Sequence, residues 1–305
     1  MVKSRIKRHK FYRETPVLDV LFHIVALAVL LVTVLPLLNI LATSMSGNLP
    51  VLNGEVGIWP VDFTLEAYGR VLSNWMIPNA VKNSIIYTGF SAAYSVIITL
   101  MMAYPMSKKT FVLRRPVWIL LVITMYFNGG LIPTFLLINQ MGMYDSWLSQ
   151  VLPLAISIGN LIIMRIFIND IPSELEESAK LDGAQDIQIF FRIILPLIKP
   201  GIATIALYYA VWKWNDYFNP MLYFSDFKKF PLTVVLREIV LQGSHVDKFM
   251  SAAQRATNEA NIYADAFSSR LKLASLLVSI LPILLVFPVL QKYFIKGMST
   301  GAVKG

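Results

Sequence analysis

Long apolar runs recur along this chain and constrain its fold more than any other feature. The first, from Val17 to about Ala42, exceeds the roughly 20 residues that a helix needs to cross a bilayer. Backbone groups inside a bilayer must pair within the segment, so such runs fold as spanning helices. Only 15% of the residues are charged and 56% are hydrophobic, whereas a soluble domain carries about 25% charged residues. The sequence predicts an all-α, polytopic membrane protein.

Basic residues set the predicted orientation of these runs. The first 16 residues are rich in Lys and Arg, and such ends stay in the cytoplasm. A cleaved signal peptide is disfavoured, because the following run is too long and no Ala-x-Ala site follows it. The basic residues of segment 225–270 oppose this orientation, but the N-terminus outweighs them, so both termini are expected to be cytoplasmic. The six predicted spans cover residues 17–42, 84–106, 116–138, 147–168, 201–224 and 273–293.

The predicted organisation is a basic cytoplasmic N-terminus, 1–16, followed by one transmembrane domain, 17–305, with its core at 80–300. Residues 173–196 are expected to form cytoplasmic helices, and residues 225–270 an external segment. These features predict a multi-pass membrane protein.

Several chemistries are disfavoured by the composition. The chain has no cysteine, and its three histidines are far apart, so no metal site is expected. No phosphate-binding loop, zinc-protease helix or nucleophile elbow occurs. The net charge of +9 is explained by cytoplasmic span ends rather than by nucleic acid. We therefore expect no catalytic residue and no cofactor in this chain.

Two polar interruptions lie inside predicted spans. Asn128-Gly129-Gly130, followed by Pro133, unwinds a helix where protein or water satisfies the backbone. In the fifth span, Lys213 and Asp216 lie three residues apart and share a helical face. They line or gate a pathway, or they form an intrahelical ion pair near the outer interface; the sequence leaves both open. The candidate pathway residues are Trp212, Lys213, Trp214, Asn215, Asp216 and Asn128.

A polar, helix-forming segment separates the fourth and fifth spans. Ser173 and Glu176 match a capping box that starts a helix, and Gly183 supplies the positive φ that ends it. A second helix is expected from Ala184 to Ile194, with Ile187, Phe190, Phe191 and Ile194 on one side, stopped by Pro196 and Pro200. Docking to a cytoplasmic partner is the predicted use, and a surface loop lying on the membrane is the alternative.

This segment resembles a known family. Glu177-Ser178-Ala179, Asp182-Gly183-Ala184 and Ile194-Leu195-Pro196 look like the EAA loop of binding-protein-dependent ABC importer permeases, with Ser178 where Ala is usual. The likeness extends over roughly residues 80–305 and the span before them. It is strongest to the carbohydrate-uptake branch related to the smaller maltose permease subunit, especially the oligosaccharide and polysaccharide permeases.

The resemblance implies a type I importer permease fold and a non-catalytic sugar import subunit in the bacterial cytoplasmic (inner) membrane. Its implied partners are a second, related permease, two cytoplasmic ATPase subunits that bind Mg-ATP, and an external sugar-binding protein. The EAA helix of such permeases sits in a cleft of the ATPase, which makes Glu177, Ala179, Asp182, Gly183 and Pro196 the candidate coupling residues. The alternatives are an importer of a non-sugar solute, a secondary carrier or channel, and a membrane scaffold.

Overall fold

All regular secondary structure in the described part of the chain is helical, as the sequence predicts. The contacts divide the chain into two compact units, Met1–Tyr68 with Ser251–Ala274 and Gly69–Met250 with Ser275–Gly305. The computed structural model describes residues 16–73, 76–127, 129–242, 267–282 and 284–285.

The first unit is built on α1, Pro16–Ser44, a helix of 29 residues. The most apolar stretch within Leu18–Ser44 has a mean hydropathy of 2.8, and none of that stretch is buried within the chain. Pro36 lies inside α1 without ending it. The short helix α2 (Asn48–Leu52) follows, and α3 (Glu66–Ser73) begins before Tyr68, where this part of the unit ends. A long apolar helix that buries so little against its own chain is suited to lipid or to another membrane subunit.

The second unit is organised around α4, Met76–Ser107, a helix of 32 residues that begins before the predicted Ser84. At 1.5 Å per residue it is about 48 Å long, enough to cross a bilayer with its headgroups. It packs most extensively against α12 (Lys199–Trp214) and α8 (Ile158–Asn169). Small residues allow these close approaches. The small and hydroxyl residues buried on α4 are Ala80, Ser84, Ser91, Ala92, Ser95, Thr99 and Ala103.

One approach leaves no room for a side chain. Gly201 on α12 is buried, and a Cβ added there would lie 2.6 Å from Cγ of Phe167 on α8. Glycine at this position therefore sets the distance between the two helices.

The predicted third span is broken in the structure. α5 covers Arg114–Tyr126 and α6 covers Leu131–Gln140. Gly130 precedes α6 with a φ of 87°, a conformation that suits glycine, and its carbonyl accepts a hydrogen bond from the Thr134 hydroxyl at 2.7 Å. The break lies where the double glycine predicts it. Asn128, a candidate pathway residue, lies outside the described residues.

The predicted fourth and fifth spans are also broken, which corrects their continuous ranges. The fourth consists of α7 (Leu148–Val151) and α8, with Leu154 between them at a φ of 57°. The fifth ends at Trp214, and α13 (Phe218–Tyr223) follows. Asp216 accepts a hydrogen bond from the Asn219 backbone N–H, and this side-chain acceptor competes with a continuous helix.

The described residues therefore support a smaller number of unbroken spans than six. Leu18–Ser44 and Met76–Ser107 are each long and apolar enough to cross a membrane. Two bent helix pairs can add one span each, giving up to 4 among these residues. Later helices are α14 (Leu232–Gln242) and α15, over residues 267–282. The second half of the predicted sixth span lies mostly outside the described residues, so six spans remain a prediction.

Candidate functional site

Residues 173–197 connect α8 to α12 and are called the linker segment. The segment contains α9 (Ser173–Leu181), α10 (Asp186–Ile189), a π-helical turn over Phe190–Ile194 and α11 (Leu195–Leu197). The chain bends at Ile198, so that the helices before and after it meet at 78°. The linker segment is thus a compact group of short helices at one end of the second unit.

The inner face of the linker segment belongs to the main apolar core. Ile189 and Ile194 are both fully buried. They share one cluster with residues of α4 and α8, among them Ala103, Met106 and Met164. Ala179, a candidate coupling residue, packs against the edge of this cluster. Because these contacts join the segment to the spanning helices, the linker cannot move far without displacing α4 and α8.

Polar and aromatic contacts tie the same segment to the end of α4. Lys108 pairs with Glu176 on α9, and its Nζ lies 4.5 Å from the centre of the Tyr104 ring. The rings of Tyr104 and Phe190 are 4.9 Å apart. The two helices are therefore joined by an ion pair, a cation–π contact and an aromatic contact.

Gly183 ends α9 with a φ of 85°, as the sequence predicts. Its N–H donates to the carbonyl of Lys180, and the next N–H, of Ala184, donates to that of Ala179. This pair of hydrogen bonds is a Schellman motif, which favours glycine at the left-handed position. Lys180 also forms an ion pair of 3.1 Å with Asp186 across the turn. The turn therefore fixes the angle between α9 and α10.

The outer face of the linker segment exposes large apolar side chains. Leu181 is 89% exposed, Ile187 70% and Phe191 60%. Ile187 and Phe191 are exposed whereas Ile194 is buried, which corrects the prediction that these residues lie on one side of the second helix. The π-helical turn, wider than an α-helical turn, directs Phe190 inward and Phe191 outward. Two candidate coupling residues, Glu177 and Asp182, are also exposed.

Two predicted local signals are wrong. α9 begins after Pro172 with no side-chain cap, because Glu176 reaches Lys108 instead of closing a capping box with Ser173. A capping box occurs at Gln185 and Gln188 instead. Pro196 and Pro200 do not stop the second helix, because Pro196 lies within α11 and Pro200 lies in the first turn of α12. Pro200 in the first turn lacks only an N–H that would have no partner within α12.

The polar cluster at the end of α12 is largely internal. Lys213 Nζ lies 3.0 Å from Asp216 Oδ2 and 2.9 Å from Gln150 Oε1. The Lys213 and Asp216 side chains are only 5% and 6% exposed, so the pair is buried in the chain and does not reach the surface. Trp212 and Asn215 are exposed, and Trp214 is half-buried.

A cavity of about 370 Å³ opens beside Trp212. Tyr208 and Tyr209 line it from α12, and Ser157 and Asn160 line it from the start of α8. The Tyr209 hydroxyl lies 2.7 Å from Thr99 Oγ1 and accepts from the Ser157 N–H at 3.0 Å. Sequence patterns did not single out the lining residues Ser157, Asn160, Tyr208 and Tyr209. They come together only because the fourth span breaks and α8 then meets α12.

The other end of α4 carries a second polar assembly. Asn83 Nδ2 donates to the carbonyl oxygens of Lys228 and Phe230, and the Tyr87 hydroxyl donates to that of Lys229. Lys229 also pairs with Asp145 at 2.5 Å, and this contact lowers the pKa of the Asp145 carboxyl. The start of the predicted external segment thus meets Asp145, which lies between the predicted third and fourth spans, at the opposite end of α4 from the linker segment.

Residues 90–300 match the family of binding-protein-dependent transport system inner membrane components. The chain belongs to this family. This confirms the family predicted from the linker motifs, and the matched residues include both the linker segment and the cavity.

Known proteins are similar to this chain over nearly its whole length. The polygalacturonan/rhamnogalacturonan transport system permease protein YtcP of Bacillus subtilis (strain 168) is 39% identical, covering 94% of this chain and 98% of that protein. Protein LplC of the same strain is 40% identical over 90% of each. A crystal structure of a bacterial ABC transporter involved in the import of the acidic polysaccharide alginate has a TM-score of 0.82 and 32% identity. It covers 93% of this chain and 99% of the matched chain.

Proposed function

We propose that this chain is the permease subunit of an ATP-driven importer of an oligosaccharide or polysaccharide fragment, forming half of its translocation pathway. It crosses the bacterial inner membrane six times, with both termini in the cytoplasm. Its partners are a second permease, two ATPase subunits that bind Mg-ATP, and an external sugar-binding protein. Family membership supports the permease role, and the transport of polysaccharides by its named relatives supports the substrate class.

The two faces of the linker segment are the observation that carries this proposal. Its inner face is continuous with the core of α4 and α8, and its outer face exposes Leu181, Ile187 and Phe191. Solvent-exposed apolar residues that cluster on a rigid element mark a protein contact. Force applied to this outer face by an ATPase passes directly to the spanning helices.

The candidate coupling residues have distinct roles in this scheme. Glu177 and Asp182 are exposed beside the apolar residues and make polar contacts with the ATPase at the rim. Gly183 sets the turn that presents them, and Ala179 holds α9 against the core. Pro196 is exposed in α11, next to the bend at Ile198.

The cavity beside Trp212 is the proposed sugar contact of this subunit. Aromatic side chains combine an apolar ring with a polar tip, and the Asn160 amide can both donate to and accept from sugar hydroxyls. A concave site with aromatic walls and a few polar groups is typical of small-molecule binding. The buried Lys213–Asp216 pair supports the end of α12 that carries Trp212 and does not itself face the sugar.

Phe191 and Phe227 offer a matched test of docking. Both are exposed, at 60% and 56%, and each makes a T-shaped contact with a neighbouring phenylalanine, at 5.1 and 5.2 Å. Only Phe191 lies on the linker segment. Phe191→Ser should reduce co-purification of the ATPase subunits from membranes, and Phe227→Ser should not. Equal retention of the ATPase by both variants would contradict the docking role.

Uptake measurements distinguish the alternatives. Trp212→Ala should lower sugar uptake while the ATPase stays bound, because the change lies far from the linker segment. Uptake that persists in cells without the ATPase would favour a secondary carrier, and a binding protein purified with a bound non-sugar solute would redirect the substrate class.

A further inference from the structure

A strongly basic cavity lies at the same end of α4 as the linker segment, but apart from it. Its volume is about 440 Å³. Lys109, Arg114, Arg115 and Arg165 line it together with Trp118. It lies between the end of α4, the start of α5 and the end of α8, and it has no acidic residue in its wall.

The charges in this cavity lack counter-charges among the described residues. None of the four cations forms an ion pair in the part of the chain that the structure describes. Arg114 and Arg165 line the same cavity, so their like charges repel each other. Arg114 and Arg115 also occupy the first turn of α5, which holds no acidic residue. The positive end of a helix dipole adds to their repulsion, so an anion would be stabilised there.

Arg165 points to a specific ligand position. Its Nε is buried and has no hydrogen-bond partner. Its guanidinium lies 5.5 Å from the centre of the Trp118 ring. Both side chains line the cavity. A buried donor without a partner costs free energy, and a guanidinium group matches the oxygens of a phosphate in geometry and charge.

The surroundings of the cavity are apolar. α5 contains no buried residue, and Val112, Leu113, Ile119 and Leu120 are all exposed. Such a helix is suited to contact with acyl chains, and tryptophan is enriched at the level of the headgroups. The cavity thus places cations where a membrane-facing helix begins.

We propose that this cavity binds a phosphate group, supplied by the headgroup of an anionic phospholipid in the cytoplasmic leaflet. Arg165 contacts the phosphate oxygens, Arg114 and Arg115 balance its charge, and the acyl chains lie along α5. Basic pockets on the cytoplasmic side of membrane helices bind such headgroups in this way. The assignment to the cytoplasmic leaflet rests on the proposed topology, but the binding test does not require sugar transport.

Tryptophan quenching tests the proposal on the full-length chain in detergent. Brominated phosphatidylglycerol should quench fluorescence at a lower mole fraction than brominated phosphatidylcholine, and Trp118→Phe should remove this difference. Each arginine removed, as in Arg165→Gln or Arg114→Gln, should weaken the apparent affinity about fivefold. Arg165→Lys keeps the charge but loses the planar group, so it should retain part of the preference for phosphatidylglycerol. A retained preference shows that the site tolerates substitution at Arg165 without loss of folding.

Lys199→Gln is the matched control, because Lys199 is exposed at the start of α12 and does not line the cavity. It removes the same charge and should leave the preference unchanged. Displacement of the lipid by inorganic phosphate, but not by chloride at equal ionic strength, would support the phosphate site while assigning it to a soluble ligand. Equal quenching by both lipids without such displacement, or equal effects of Lys199→Gln and Arg165→Gln, would overturn the proposal. Loss of the lipid preference on addition of the ATPase subunits would assign the cavity to a protein contact and would overturn it too.

Discussion

Lys108, directly after α4, pairs with Glu176 on the first helix of the linker segment. The two residues are 68 positions apart in sequence, and both side chains are mostly buried. This ion pair joins α4 to the segment that we propose contacts the ATPase. Movement of the linker segment is therefore transmitted to α4 through a charged contact as well as through the apolar core.

Breaking this pair should weaken coupling more than assembly. Glu176→Gln or Lys108→Gln should lower transport per bound ATPase, because α9 loses its charged contact with α4. A partly exposed ion pair contributes about 0.2–1 kcal/mol, so the complex should still form. The ratio of sugar taken up to ATP hydrolysed, measured in proteoliposomes, reports this coupling. The exchange Lys108→Glu with Glu176→Lys should restore part of it, and an unchanged ratio in both single variants would contradict this role.

Replacing Gly183 should impair ATPase binding through the backbone. Its φ is 85°, and an added Cβ would meet no atom within 4 Å, so the penalty is conformational and of roughly 1–3 kcal/mol. Gly183→Val should lose more ATPase than Gly183→Asn, since asparagine tolerates positive φ. Gly142 is a matched control, with a φ of 68° and equal free space at the opposite end. ATPase lost equally from Gly142→Val would show that strain alone, rather than position, is responsible.

The Lys213–Asp216 pair should prove structural. Lys213→Met leaves a carboxylate buried without its partner, and breaking such a pair costs about 3–5 kcal/mol. The double variant Lys213→Met with Asp216→Asn removes both charges and should be less destabilised than the single one, as judged by thermal unfolding in detergent. A stable double variant that assembles but transports no sugar would instead favour the gating interpretation.

Acid should destabilise the second polar assembly, at the end of α4 opposite the linker segment, through Asp145. Lys229 lowers the pKa of the Asp145 carboxyl in the folded state. Its contribution is therefore present above the ordinary aspartate pKa and is lost as the pH falls through the lowered folded pKa. Asp145→Asn should flatten the loss of stability between about pH 5 and pH 2. Asparagine also tolerates the positive φ of 53° at this position. An identical acid dependence in Asp145→Asn and the unmodified chain would contradict this.

Apolar length and local glycine signals predicted much of the fold. The helical class, the Gly183 turn and the break near Gly130 all depend on properties of nearby residues, which a sequence displays directly. The family motif likewise located the linker segment. What local patterns missed were the breaks in the fourth and fifth spans, where Leu154 adopts a positive φ and Asp216 binds the Asn219 backbone.

Tertiary partners decided the remaining details. The capping box at Ser173 fails because Lys108 offers Glu176 a charged partner from a distant part of the sequence. Lys213 is buried because Gln150 from α7 satisfies it together with Asp216. The outward position of Phe191 depends on a π-helical turn that apolar periodicity does not reveal. Each case requires a long-range contact or an altered helical period.

Reconstituted transport tests the central claim most directly. The chain would be placed in proteoliposomes with its second permease and ATPase subunits, with the sugar-binding protein and a labelled oligosaccharide outside. The account predicts uptake only with ATP at the ATPase side, strongly reduced by Phe191→Ser and unaffected by Phe227→Ser. Uptake that is independent of ATP, or equally reduced by both substitutions, would contradict the account.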